Sequence, residues 1–91
     1  MKFELGQVVV TRGVSDATEE SRDFKSEVML YLARHSLGNW GVVCDEDKQI
    51  NDDAVRNGER ILSAYETCKG KIWIITEADR SVTTVLFPHE Y

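Results

Sequence analysis

Proline is almost missing from this chain: Pro88, three residues before the last, is the only one in 91. That scarcity excludes a proline-rich linker and any polyproline recognition segment. No low-complexity tract or internal repeat is visible either, so residues 1–91 read as one domain near the lower end of what folds unaided. Only two cysteines occur, Cys44 and Cys68, and they are not spaced as a CxxC pair. This excludes a disulfide framework, a zinc ribbon and a thioredoxin-like motif, and the expectation is two reduced thiols. No apolar run approaches the roughly 20 residues that cross a bilayer. Met1-Lys2-Phe3-Glu4 opens no hydrophobic signal stretch, so a cytoplasmic protein with no membrane association is expected. An excess of positive charge is lacking too. The formal net charge is -5, which opposes a whole-surface grip on nucleic acid, because such binding replaces phosphate counterions with protein cations. A local basic patch stays open. Nucleotide loops (GxxxxGK[ST], GxGxxG) and the HExxH metalloprotease motif are absent, and no cofactor is expected. Ser63 and Ser81 sit in no nucleophile elbow.

What is present is concentrated between Arg60 and Tyr91. Arg60-Ile-Leu-Ser-Ala-Tyr-Glu-Thr67 is followed by a break at Cys68-Lys69-Gly70. Lys71-Ile-Trp-Ile-Ile-Thr-Glu77 is followed by a second break at Ala78-Asp79-Arg80-Ser81, and Val82-Thr-Thr-Val-Leu-Phe-Pro88 closes the series. Short β-branched and aromatic runs joined by polar turns predict a three-stranded antiparallel meander. Alternation puts Ile61, Ser63 and Tyr65 on one face of the first run, and Ile72, Ile74 and Thr76 opposite to Trp73 and Ile75 in the second. The second run is apolar on both sides and reads as the central strand.

Upstream, Val8-Val9-Val10-Thr11 between Gly6 and Gly13 predicts a strand within Leu5–Arg12. Asp16 and Glu19 have capping-box spacing, and Phe24, Val28, Tyr31, Leu32 and His35 share a helical face. One helix from Asp16 to Leu37, ended by Gly38, is therefore expected. A second is expected over Glu46–Asn57, capped by Asp45 and ended by Gly58, with a thin apolar stripe of Ile50, Ala54 and Val55 and with Asn51 on the same side. The fold class is thus α+β: an N-terminal strand joining the sheet at an edge, two helices, and a C-terminal meander with helices packed on one face. An edge left open would invite a homodimer by strand addition.

Gly6-Gln-Val-Val-Val-Thr-Arg-Gly13, Arg34-His35, Gly38-Asn-Trp-Gly41, Glu46-Asp47-Lys48 with Asn51, Arg60-Ile-Leu-Ser-Ala-Tyr65, the string Lys71–Pro88 and the ending Glu90-Tyr91 together resemble a family of small bacterial proteins often labelled plasmid-related. Genes of that family turn up on plasmids, phages and integrated elements. The resemblance runs nearly end to end and is most specific in Lys71–Pro88. Asn39 stands where Asp is more usual, and His89 fills a variable position. The resemblance implies a mobile-element protein and carries over no site residue. The function expected is that of an accessory protein acting by protein–protein binding, against a host-defence component or an element-encoded protein.

A helix-then-meander layout is also that of RelE- and barnase-type ribonucleases, which cleave RNA without metal. Such an enzyme needs a base for the ribose 2′-OH and cations for phosphate. His35 would be the base, Arg60 and Arg80 would hold phosphate, and Thr84 and Tyr91 would add hydrogen bonds. Against this, His35 continues an apolar stripe as a packed histidine would, and Arg80 suits a turn brace. Asp45, Glu46, Asp47, Asp52 and Asp53 suit a helix N-terminus and a solvated face better than a metal site. For binding, Trp40 in its short loop caps the core or anchors a partner. Trp73 with Lys71 and Tyr65 would make an aromatic–basic surface, and Asp79 with Arg80 would be displayed at a hairpin tip.

Overall fold

The computed structural model describes residues 1–91. The chain runs β1 (Gln7–Val10), α1 (Arg12–Glu20), α2 (Arg22–Ser36), α3 (Asp45–Asn57), β2 (Ile61–Thr67), β3 (Gly70–Thr76), β4 (Val82–Leu86) and a final 3-10 turn (Pro88–Glu90). The α+β class holds, and the sheet order is β1-β4-β3-β2. β2, β3 and β4 form the antiparallel meander, whereas β1 joins beside β4 in parallel, so the sheet is mixed. β3 is interior as its two apolar sides require, and β1 sits at an edge.

All three helices lie on one sheet face. There the rows Val8–Thr83–Thr76–Ile61 and Val10–Val85–Ile74–Ser63 run across the four strands. Phe24 and Val28 of α2 and Val14 and Ala17 of α1 bury against Tyr65, Ile72, Ile74 and Val85. Complete burial of side chains such as Phe24, Ile72 and Ile74 contributes about 1.5–3 kcal/mol each. A second cluster, Phe3, Trp40, Ala54 and Ile61, seats α3 and the N-terminal segment.

The single helix expected over Asp16–Leu37 is two helices. Ser21 is extended (φ -139°, ψ 118°), and its hydroxyl accepts from the Phe24 N–H at 3.1 Å, so it caps α2. The apolar spacing cannot reveal this break. Val14, Ala17, Phe24 and Val28 stay in helical phase through position 21, where Ser21 stands.

Nor does Asp16 cap the first helix, which starts at Arg12 immediately after β1. One of its N-terminal N–H groups, that of Gly13, is answered from the far end of the chain. The Glu90 carboxylate accepts from the Gly13 N–H at 2.9 Å, the Thr11 hydroxyl at 2.5 Å and the Phe87 N–H at 3.0 Å. A negative group at a helix N-terminus is favourable on both hydrogen-bonding and dipole grounds. Gly13 permits it: a Cβ there would come within 2.7 Å of that carboxylate.

α3 begins at Asp45 with Cys44 in the capping position, one residue earlier than expected, and Gly58 closes it in a left-handed conformation (φ 69°). Ala54 and Asn51 are its buried residues. Ile50, assigned to the apolar stripe, is instead 59% exposed. The face that turns inward is set by Asn51, whose amide donates to the Leu62 carbonyl (2.7 Å) and accepts from the Leu62 N–H (3.2 Å). Farther along β2, the Ala64 N–H donates to Trp40 and the Ala64 carbonyl accepts from Val42. One sheet edge is thereby closed, while β1 forms the other.

Candidate binding surface

His35 is wholly enclosed between α2 and the sheet. Its Nδ1 meets the Ser63 hydroxyl and its Nε2 lies 2.9 Å from Thr76 Oγ1. Thr76 Oγ1 is 2.7 Å from Thr83 Oγ1, and the Thr83 hydroxyl donates to the Leu5 carbonyl at 2.7 Å. The terminal carbonyl can only accept, which orders every proton behind it. Thr83 gives its proton to Leu5, Thr76 gives to Thr83, and His35 must therefore donate from Nε2 to Thr76 while Nδ1 accepts from Ser63. A neutral imidazole satisfies this chain completely. Burial, and next the positive charge of Arg80, hold the His35 pKa down to about 4 from an ordinary 6.5. The histidine that a ribonuclease would use as a base is a closed core element with no face toward solvent.

Arg80 has a left-handed backbone (φ 61°) that turns its side chain back under α3. The guanidinium donates to the carbonyls of Ala54 (3.0 Å), Glu59 (2.6 Å) and Glu77 (3.1 Å) and lies over the Phe3 ring at 5.6 Å. A cation on the last carbonyls of a helix is favoured by the helix dipole. Asp79 beside it accepts from the Ser81 hydroxyl (2.6 Å) and N–H (3.0 Å), and those bonds keep its carboxyl below the usual range. The hairpin tip expected to display two charges is thus an Asx-type turn and a helix brace.

Two aromatic candidates belong to the core. Trp40 is 4% exposed, stacks on Phe3 and donates its indole N–H to Asp52 at 2.9 Å. Gly41 (φ 76°) lets the loop lie against β2, since a Cβ there would sit 1.9 Å from the Ala64 carbonyl oxygen. Tyr65 stacks face to face with Tyr31 at 4.5 Å and donates its hydroxyl to the Asn39 carbonyl. Burial, outweighing smaller opposing effects, pushes its phenol up to about 12. Tyr65 is register partner to Ile72 on the helix side, whereas Trp73 points the other way. The expected grouping of Trp73 with Tyr65 is therefore corrected: strand alternation separates them by the thickness of the sheet.

The helix-free face carries what remains. Across it runs the row Val9–Thr84–Ile75–Leu62, with Trp73 beside Leu86. Tyr91 folds back over this face and is 67% exposed. Its ring meets Trp73 edge-on at 5.6 Å, its hydroxyl accepts from Arg60 Nη1 at 2.8 Å, and the same guanidinium lies 5.3 Å from the ring centre. Arg60 is also 3.7 Å from the Glu77 carboxylate. Arg60, Thr84 and Tyr91 line a cleft of about 280 Å³ with Ile75 and Leu86 in its lining. Three of the five residues considered for catalysis thus come together here. His35 and Arg80 lie among the helices instead.

The C-terminal end of the chain assembles this surface, through contacts that no local pattern in the sequence signals. Glu90, clasped to α1, fixes where Tyr91 begins. Burial works against its charge, but the bonds from Thr11, Phe87 and Gly13 prevail and hold its carboxyl below the ordinary 4.5. Lys71 shares the helix-free face with Trp73, as strand alternation requires, and its Nζ lies 3.9 Å from the carboxylate of its register partner Glu66. At the strand end it also lines a larger groove of about 570 Å³ beside Asp16, Glu20 and Lys69. That groove mixes both charges, with Lys69 and Glu20 3.5 Å apart, and gathers no directed set of groups. No three His, Cys, Asp or Glu side chains converge as metal ligands, and no helix is long and apolar enough to cross a membrane. The chain matches no family model, no curated protein and no solved structure.

Proposed function

We propose that this protein acts by binding another protein, and that it docks through the helix-free sheet face around Trp73, Tyr91 and Arg60. The observation that carries this is the prearranged aromatic–arginine cluster on an open face. Tryptophan, tyrosine and arginine dominate binding hot spots because they combine large apolar area with directional polar groups. Here all three hold one another in place before any partner arrives, which lowers the entropy lost on association. Apolar Leu86 and Ile75 line the adjoining cleft and would take a side chain from the partner. A net charge of -5 favours a protein over a polyanion as occupant. The resemblance to plasmid-related proteins supports a role as an accessory factor of mobile genetic elements, with a host-defence component or an element-encoded protein as the target.

Affinity capture from native host cells tests this with wild type, Trp73→Ala and Tyr91→Ala in parallel. A partner held by wild type and lost from both variants is expected. No reproducible partner, or one held equally by all three, would count against the proposal.

One observation favours a metal-independent ribonuclease as the second reading: Arg60, Thr84 and Tyr91 do line one cleft. Such an enzyme would need a base other than the enclosed His35. Inducing the gene and following growth and RNA integrity separates the two classes. Growth arrest with RNA cleavage that is abolished by Arg60→Ala would establish the enzyme.

A further inference from the structure

β1 leaves half of its backbone unanswered. The Gln7 N–H donates to Ser81 and the Thr11 N–H to Val85, so in this parallel ladder residues 7, 9 and 11 face β4. Val8 and Val10 therefore point their N–H and C=O groups away from the sheet, and no loop or turn backbone bond reaches them. Their side chains are 43% and 42% exposed. The devices that usually blunt an edge are missing between Gln7 and Val10: no proline, no lysine, no bulge. The opposite edge, β2, is closed by Asn51 and the Trp40–Val42 loop.

We propose that β1 pairs antiparallel with β1 of a second copy of this chain, with Val9 on the two-fold axis. In that register Val8 of each copy stands opposite Val10 of the other. Each copy then donates from Val8 and Val10 and accepts at Val10 and Val8, so every outward group finds a partner and none is left over. Opposed valines extend the apolar row on the helix side. The charges select the same orientation. Exposed Glu4 precedes the strand and exposed Arg12 follows it. Antiparallel pairing brings the acidic end of one copy toward the basic end of the other, whereas parallel pairing would bring like charges together. The two sheets become one continuous sheet of eight strands, and the Trp73–Tyr91–Arg60 cluster is presented twice on its helix-free face. The association stands apart from the binding role proposed above and does not depend on it.

The contact is short, so the dimer is weak and its population rises with concentration. Sedimentation equilibrium of the full chain across a concentration series is expected to show mass climbing from one chain toward two. Val8→Pro removes an outward donor while sparing the ladder to β4, a position where an edge strand tolerates proline. It is expected to keep the wild-type circular dichroism spectrum and stay at one chain throughout. Should Val8→Pro fail to fold, Val10→Lys, changed at a half-exposed side chain, is expected to give the same loss. The register is read by oxidative cross-linking in a Cys44→Ser, Cys68→Ser background. Opposed residues of a non-hydrogen-bonded pair lie about 4.5 Å apart at Cα, within disulfide range. Val9→Cys is expected to give a covalent dimer and Val8→Cys is not. Wild type at one chain's mass at every concentration, or Val10→Lys dimerising like wild type, would overturn the proposal. Preferential cross-linking of Val8→Cys would overturn the register.

Discussion

Acidification should destabilise this fold through His35 in a defined window. An unfolded chain takes up the proton at the ordinary value of 6.5, and the folded chain resists until about 4. Below 6.5 the unfolded state therefore binds more protons, and stability falls with pH. The contribution is fully present above 6.5, declines between 6.5 and about 4, and changes no further once both states are protonated. A separation of 6.5 to about 4 corresponds to about 3 kcal/mol at 1.36 kcal/mol per unit. Much of a small domain's total stability is of that order. The cost has a visible origin. Protonated Nδ1 would have to donate to Ser63, whose hydroxyl already donates to it, and the charge would sit near the Arg80 guanidinium. Urea unfolding followed by fluorescence of buried Trp40, at steps from pH 7 to pH 4, measures the loss. His35→Gln keeps a donor and an acceptor but cannot titrate. It should be less stable than wild type at pH 7, with a flatter dependence between 6.5 and 4. Carboxylates contribute equally to both curves and cancel in the difference. A His35 ring titrating near 6.5 by NMR, or parallel curves for the two proteins, would refute an enclosed neutral imidazole.

Two further substitutions probe the long-range ties. Glu90→Ala removes the acceptor for Thr11, Gly13 and Phe87. By analogy with lost N-caps it should cost about 1–2 kcal/mol, and a calorimetric midpoint lower by about 4–8 °C per kcal/mol would register it. That loss should shrink on acidification: Glu90's folded pKa is depressed, so its contribution is present above the ordinary 4.5 and disappears as pH falls through the folded value. Asn51→Ala leaves the Leu62 N–H and carbonyl without their side-chain partners. It should cost about 1–3 kcal/mol in urea unfolding and speed hydrogen exchange at Leu62 before the β3 amides. Unchanged exchange at Leu62 would mean that α3 does not guard that edge.

What could be read from the sequence followed from local periodicity. The two-residue alternation of Ile61–Tyr65 and Ile72–Thr76 gave the strands, their faces and the interior position of β3, because each burial decision is made by neighbours along the strand. The break at Ser21 escaped because both helices share one phase. The start of α1 escaped because its cap, Glu90, comes from the other end of the chain. Trp40 and Tyr65 looked like binding residues because an aromatic beside a polar loop reads the same whether it turns in or out. Gly41 and the stacking of Tyr31 decide that it turns in. The Tyr91–Arg60 contact spans the whole meander, and only closure of the sheet brings those residues together. His35 was legible as an apolar-stripe residue, but its neutral state depends on Ser63, Thr76 and Thr83 arriving from three strands.

Site-specific photo-cross-linking in native host cells tests most directly whether the helix-free face does the binding. A photoreactive aromatic residue, which keeps the ring and apolar area that Trp73→Ala removes, replaces Trp73 in one variant and exposed Ile50 of α3 in another. A discrete protein adduct from position 73 and none from position 50 is predicted. Adducts from position 50 alone, or from neither position while induced wild type degrades cellular RNA, would contradict it.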